Sequence, residues 1–463
     1  MIAKYTAAQI VGLALVVLAV IIWLSWLIRS RVKLLQRLYV PTCVIGGFTM
    51  LLLGPQVLGA LTGTAGLLPQ QLIDVWRVLP GILINIVFGA IMIGKKLPSL
   101  RDVWALSAPH FIFGSLLSFG QFALGAFAVL FFLGPVFGVS PLAGALIEMS
   151  FAGGHGTVGG MGPLLTGLGA ADLIDVGLGL ATVSMITGIV LGTALVSYAM
   201  RTPKIPIVRR LPLADSTSTD LGTVDERAPA DVDEEQLGIG QITAAFMYIS
   251  LAILIALVIL ESLRFGFGLL GSDIFDSFPL FPLTVVGGFI VQLLISKFGA
   301  EASANKKAVQ GIATFALDML VVSAIGTMSL ATLGANIPAL LTFTVIGAGW
   351  SVVALLWLGP RIHRENWFEH GLADFGQSQG NVATGFVLAD MADPKRTSKA
   401  ATAYGYKQLT YEPLLGGGLI TAMAVPVIAG YGLLTFGIGA ALVTLALIAW
   451  GVLRKATPAA VRH

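Results

Sequence analysis

The chain has 463 residues, of which 56% are apolar and 11% charged, and its mean hydropathy is +0.90. Soluble globular chains are nearer a quarter charged, so this composition excludes a soluble enzyme and any disordered or fibrous class. A net charge of +3 with no basic cluster among aromatics excludes a nucleic-acid binder, and the single cysteine, Cys43, excludes a disulfide framework or a Cys-based metal site. What remains is an all-α polytopic membrane protein.

Apolar runs long enough to cross a hydrocarbon core of roughly 30 Å recur along most of the chain. They predict spans at 8–28, 41–59, 79–94, 106–133 and 172–199, a second series at 241–263, 280–298, 309–333, 337–359 and 408–430, and a last span at 433–453. Two further stretches, 141–169 and 366–392, are interrupted by glycine and polar residues near their middles and read as re-entrant hairpins. The first span is retained rather than cleaved: its apolar run is too long for a signal peptide, no Ala-x-Ala site follows, and its positive charges lie on the far side.

With the N-terminus outside, all of the 27 Lys and Arg residues except Lys4, Arg77 and Arg264 fall on the inner side, including Lys395, Arg396, Lys399 and Lys407. One missed crossing would scramble that bias. The chain is therefore expected in the plasma (inner) membrane as a multi-pass protein with a cytoplasmic C-terminus.

Pro41-Thr42-Cys43-Val44-Ile45-Gly46-Gly47-Phe48 recurs as Pro282-Leu283-Thr284-Val285-Val286-Gly287-Gly288-Phe289, and each copy opens the second span of its series. Five crossings per unit is an odd number, so the second copy must be inverted, with hairpin 141–169 entering from outside and 366–392 from inside. The expected organisation is a first repeat over 1–200, a polar cytoplasmic linker over 201–238, a second repeat over 239–430, and an extra span with its tail over 431–463.

Inverted repeats with interrupted helices place a transporter's site where the breaks meet, because broken helices expose N–H groups that hold carboxylates and C=O groups that replace water around Na⁺. In the first break, Gly153-Gly154-His155-Gly156-Thr157-Val158-Gly159-Gly160, five glycines in eight residues allow a sharp turn and close approach to a ligand. Ser150 and Thr157 add hydroxyls. His155 has three readings: substrate contact, structural tie or proton carriage. In the second break, Gln379, Gly380, Asn381, Ala383, Thr384 and Gly385 offer neutral donors and acceptors to an amino acid. Asp318, near mid-span with Thr314 one turn earlier, is a cation ligand or protonatable group by default, with Ser150 and Asn381 as further Na⁺ ligands. Asp390 and Glu412 read as structural partners of Lys395 or Lys407; Glu148 is unassigned, and Gln121 faces the site or bonds a neighbouring helix.

These residues resemble the sodium/glutamate symporter family. Gly153-Gly154-His155-Gly156-Thr157 looks like its first hairpin motif, Val40-Pro41-x-x-Val44-x-Gly46-Gly47 resembles its early helix, and Phe375-Gly376 with Ala383-Thr384 is similar to its second hairpin. The second hairpin departs from the family's glycine-rich Ala-Thr-Pro pattern: Gly385 follows Ala383-Thr384, and Gln377, Ser378, Gln379 and Asn381 are present. The larger linker and the last span are further departures. The resemblance implies Na⁺-coupled uptake of glutamate or a similar anionic amino acid, no cofactor beyond Na⁺ as coupling ion, a homodimer, and an elevator movement. A proton- or sodium-coupled carboxylate transporter is the alternative. A channel lacks its carbonyl-rich filter sequence here. An intramembrane enzyme lacks its nucleophile–His–acid set: His110 lies near the inner surface, His363, His370 and His463 at or near inner loops, and only His155 at depth, so no metal cluster assembles.

The topology is tested by placing a cysteine at Ser218 in a Cys43→Ala background. An impermeant thiol reagent should fail to label it in sealed cells and label it after permeabilisation; labelling from outside overturns the orientation.

Overall fold

The computed structural model describes residues 5–37, 40–64, 66–95, 100–202, 205, 207, 239–271, 275, 278–300 and 303–454. Almost all of the 201–238 linker, the tail beyond Arg454 with His463, and Lys4 lie outside them, so the charge assignments made there stay as expectations. Among the described residues every regular element is helical.

The first series comprises α1 (Ala7–Arg31), α2 (Thr42–Leu53, continued by a π-turn at Pro55–Gly59), α3 (Gln70–Ala90), α4 (Leu100–Ala128, continued to Phe137), a hairpin of α5 (Leu146–Phe151) and α6 (Gly154–Gly160), and α7 (Asp172–Arg201). The second comprises α8 (Ile239–Leu269), α9 (Phe281–Lys297), α10 (Lys306–Gly326), α11 (Ile337–Val353), a hairpin of α12 (Trp367–Ser378) and α13 (Val382–Ala392), α14 (Ala400–Tyr411) and α15 (Leu419–Tyr431); α16 (Leu433–Leu453) ends the described chain.

Three expectations need correction. Among the described residues nine helices, not eleven, are long and apolar enough to cross a bilayer; Phe281–Lys297 and Leu419–Tyr431 are shorter. The span expected at 408–430 is broken. α14 begins at Ala400, and between Glu412 and Gly418 the chain leaves the helix, with Gly416 and Gly417 at φ +66° and +104°. Pro413 cannot donate the helical bond and the glycines accept left-handed backbone, while the apolar Leu414 and Leu415 disguised the break as continuous span. The span expected at 309–333 likewise ends at Gly326, and a separate short helix runs Leu330–Ala335. Helix α3 starts earlier than hydropathy suggested because its first turns are amphipathic, with Leu72, Ile73 and Trp76 buried while Asp74 and Arg77 face out.

Two layers result. α1, α2 and α3 interleave with α8, α9 and α10: α2 packs on α10, and α9 on α3. A Cβ on Gly46 would lie 2.9 Å from Val322 and 3.2 Å from Ser25 of α1, and one on Gly47 would lie 2.5 Å from Ile325 of α10. In the other copy, Gly287 faces the Ala252 backbone of α8, and a Cβ on Gly288 would lie 2.5 Å from the Gly89 oxygen of α3. The second glycine of each pair thus meets the third helix of the other series, while Gly287 meets the first helix of its own series and Gly46 lies against both α10 and α1. The second layer holds both hairpins walled by α4, α7, α11 and α14, with α16 along α4. Helix α6 joins the layers, packing on α3, α7 and α10.

Gly288→Ala should lower stability by about 1–3 kcal/mol, the cost of overpacking against backbone that cannot yield. Gly349→Ala in α11, where an added Cβ meets nothing within 4 Å, should be neutral or stabilising. Thermal unfolding in detergent distinguishes them; equal melting temperatures would mean the α9–α3 contact is loose.

Candidate functional site

The hairpin breaks meet. A Cβ on Gly154, which sits at φ +71°, would lie 3.5 Å from the Gly380 carbonyl oxygen. The break before α15 joins them: Gly416 is in contact range of the Ala152 carbonyl and the Gln377 amide, and Gly417 lies against Thr157. Three interrupted helices therefore converge, two anticipated from the sequence and one not.

Of the five glycines in the first motif, three serve packing. Gly156 faces Ile84, Leu317 and Leu320; a Cβ on Gly159 would approach Pro80 to 2.8 Å, and one on Gly160 would approach Ile84 to 2.9 Å. Gly153 and Gly154 form the turn. In the second hairpin, Gly376 and Gly385 let the two arms cross, since a Cβ on Gly376 would lie 2.7 Å from the Gly385 Cα.

The predicted side chains are placed as follows. His155 bonds Thr182 of α7 through Nε2 (2.9 Å), while the Thr182 hydroxyl donates to the Leu178 carbonyl (3.0 Å); this ties α6 to α7. Thr157 donates to the Gly153 carbonyl at 2.9 Å. Asn381 caps α13, its Oδ1 accepting from the Thr384 backbone N–H at 3.0 Å and facing the Thr384 hydroxyl at 3.3 Å. The cap leaves the N–H groups of Val382 and Ala383, at the first positions of the helix, without intrahelical acceptors. Gln379 donates to the Gly347 carbonyl of α11 at 3.1 Å. Asp318 lies beside Cys43 of α2, and it is Leu317 and Leu320 that face Gly156 of the hairpin. No hydrogen bond links Asp318 with Ser150 or Asn381.

Glu148, left unassigned by sequence, is fully buried. Its Oε1 accepts from the Gly416 N–H (3.1 Å) and the Thr421 hydroxyl (3.0 Å), which ties the first hairpin to the third break. Its Oε2 has no hydrogen bond, nor have Ser150 Oγ, Gln121 Oε1 and Gln379 Oε1. The four residues are 0% exposed. Gln121 donates to the Ser378 carbonyl at 2.8 Å, and α4, α5, α11 and α12 pack on one another around these atoms. Buried oxygens without partners are costly, and hard cations such as Na⁺ are bound by oxygen donors of this kind.

A second polar cluster sits at the base of the second hairpin, where sequence reading assembled none. Asp374 Oδ1 accepts from Lys407 Nζ at 2.9 Å, and its Oδ2 lies 2.8 Å from His110 Nδ1. His363 Nε2 is 3.2 Å from the same oxygen but poorly aligned for a hydrogen bond. His110 Nε2 lies 2.7 Å from His370 Nδ1, and His370 Nε2 lies 3.1 Å from the Ser398 carbonyl. Lys407 also donates to Gln377 Oε1 (2.8 Å) and stands 3.8 Å from the Tyr411 ring centroid. Lys407 is thus buried in the protein, not on an inner loop, and its partner is Asp374. Asp390 pairs instead with Arg396 through two contacts of 3.0 Å. The sequence signal that could have found the third break was Pro413 followed by Gly416-Gly417-Gly418; nothing local marked the meeting of His110 with residues more than 250 positions away.

The family model described as sodium/glutamate symporter matches residues 9–357. The chain belongs to the sodium/glutamate symporter family. The match ends before α12, so the second hairpin, Lys407 and the third break lie beyond it. No curated protein and no solved structure matches.

Removing one member of a buried ion pair leaves an uncompensated charge, at about 3–5 kcal/mol. Lys407→Met and Asp374→Asn should each reduce folded protein sharply, and the double variant should recover much of it. Fluorescence-detected size exclusion measures this; no recovery in the double variant would mean the two side chains act independently.

Proposed function

We propose that this multi-pass membrane protein is a symporter that takes up glutamate or a similar anionic amino acid, coupled to Na⁺, by alternating access. The observation that carries the reading is the set of four buried, unpartnered oxygens, Glu148 Oε2, Ser150 Oγ, Gln121 Oε1 and Gln379 Oε1, on elements that pack together at the converging breaks. A carboxylate and neutral oxygens suit a monovalent cation, the charge offsetting part of the ion's desolvation. The substrate's carboxylates fit the first N–H groups of α13 and the backbone of Gly153 and Gly154, with Thr157, Asn381 and Thr384 alongside. Glu148 and Ser150 are our leading cation ligands, with Asp318 and Asn381 as the competing ones.

The swapped packing of the two Gly-Gly pairs supports an inverted repeat, in which the second series of helices is the first turned over. A homodimer moving by an elevator step is supported by family membership and by the glycine face of α6, whose Gly156, Gly159 and Gly160 present little relief to α3 and α10. The N-terminus-out orientation rests on the distribution of basic residues.

Glutamate uptake into proteoliposomes should require an imposed Na⁺ gradient and stop when choline replaces Na⁺. A panel with aspartate and dicarboxylates should rank glutamate or its near relatives first. Losing a hydrogen bond to a charged group costs about 1.5–3 kcal/mol, or roughly one to two decades in affinity. Thr157→Val and Asn381→Leu should weaken substrate binding by that order. Glu148→Gln should raise the Na⁺ concentration for half-activation while Asp318→Asn leaves it near the parent's. The reverse pattern moves the cation to Asp318, and uptake indifferent to Na⁺ sinks the coupling assignment.

A further inference from the structure

Three hydrogen bonds in series link α4, α12 and the segment after α13: Asp374 Oδ2 to His110 Nδ1, His110 Nε2 to His370 Nδ1, and His370 Nε2 to the Ser398 carbonyl, at 2.8, 2.7 and 3.1 Å. Their hydrogens can be counted. Each bond needs one. Two neutral imidazoles supply two, an ionised carboxylate supplies none, and a carbonyl only accepts. With Asp374 ionised and both rings neutral, His110 would donate to Asp374 and His370 to Ser398. Two ring lone pairs would then face each other across 2.7 Å. The chain closes only with a third proton, and this holds whichever of Asp374, His110 or His370 carries it.

A metal ion between the rings is the other way to separate facing lone pairs. Two nitrogens ligating Zn²⁺ tetrahedrally at its usual bond length stand about 3.3 Å apart. The observed 2.7 Å is a hydrogen-bond length; with His363 the two rings also offer three ligand nitrogens within 4.8 Å of one another, so a retained metal is the competing outcome.

The charged and titratable groups facing the chain are Lys407, Tyr404 and Tyr411 of α14, Glu412 beyond it, His363 before α12, Glu369 on α12, and Asp393, whose carboxylate accepts the Ser398 N–H at 2.6 Å. Lys407 already balances Asp374, so the third proton adds one positive charge to the cluster. His370 is only partly buried and gives it a way out. In the other direction Asp374 connects through Lys407 to Gln377, two residues before the break at Gln379.

We propose that Asp374, His110 and His370 form a binding site for one exchangeable proton at the base of the second hairpin, and that its occupancy sets how firmly α4 and α12 are held together. On the symport reading, which this last step rests on, transport then responds to pH on the face of the membrane where that base lies.

Backbone hydrogen exchange of the full-length protein, corrected for the intrinsic pH dependence of exchange, tests the site without a transport assay. In the parent, protection of the turns of α4 and α12 around His110 and His370 should fall about tenfold as pH rises through the site's titration, the equivalent of one ordinary hydrogen bond. His370→Asn puts an amide donor near the Nδ1 position that does not titrate, and its protection should not vary with pH; His363→Gln should keep the parent's profile. If His370→Asn does not fold, His110→Gln should give the same flat profile. A His370→Asn profile matching the parent overturns the proposal. So does a transition metal retained by the purified parent after chelation and lost in His370→Asn. Glutamate uptake measured in parallel separates the two readings: no uptake alongside the expected exchange profiles defeats the symport assignment and supports the proton site.

Discussion

Breaking a helix at membrane depth exposes backbone N–H and C=O groups that hydrocarbon cannot satisfy, and most of this architecture follows from meeting that demand three times in one place. The breaks at Gly153–Gly154, Gln379–Asn381 and Glu412–Gly418 are brought together, and their polar groups find partners in one another or in the helices around them. Glu148 from the first takes the Gly416 N–H of the third, and Gln121 and Gln379 bond carbonyls of α12 and α11. Long helices α4, α7 and α11 wall the convergence off. What the protein's own groups leave over is a small set of buried side-chain oxygens on Gln121, Glu148, Ser150 and Gln379.

Charge is distributed by the same economy. The exposed Asp390–Arg396 pair sits in solvent, where such pairs contribute about 0–1 kcal/mol. Asp374 and Lys407 lie in the protein interior, where either one alone would be untenable. Around that pair His110 bonds Asp374 and His370, and Gln377 accepts from Lys407, while His363 Nε2 makes no hydrogen bond. The two clusters have different characters: oxygens without partners at the breaks, and a nearly closed network at the base of the second hairpin.

Glycine has two separate jobs in the chain. At Gly154, Gly416 and Gly417 it permits positive φ, and at Gly47, Gly159, Gly160 and Gly288 it permits close approach between helices. The motif around His155 mixes both uses within eight residues: Gly153 and Gly154 make the turn, and Gly156, Gly159 and Gly160 pack against α3 and α10. His155 itself is bonded to Thr182, which makes it a tie between α6 and α7 whatever else it contacts.

Family, helical class and the two hairpin breaks were legible in the sequence because each rests on local signals: apolar runs of bilayer length, glycine clusters inside them, and motif residues close together in the chain. The third break was written there too, in Pro413 and the triplet Gly416–Gly418, but hydropathy averages over a window and Leu414 and Leu415 covered it. The partners of Glu148, Asp318, Asp374 and Lys407 were not legible. A buried charge chooses its partner by distance in space, and His110 reaches Asp374 and His370 only because α4 and α12 pack side by side. Local pattern determined which segments could be helices and where they could break; only tertiary packing decided which polar atoms those breaks would satisfy and which they would leave open.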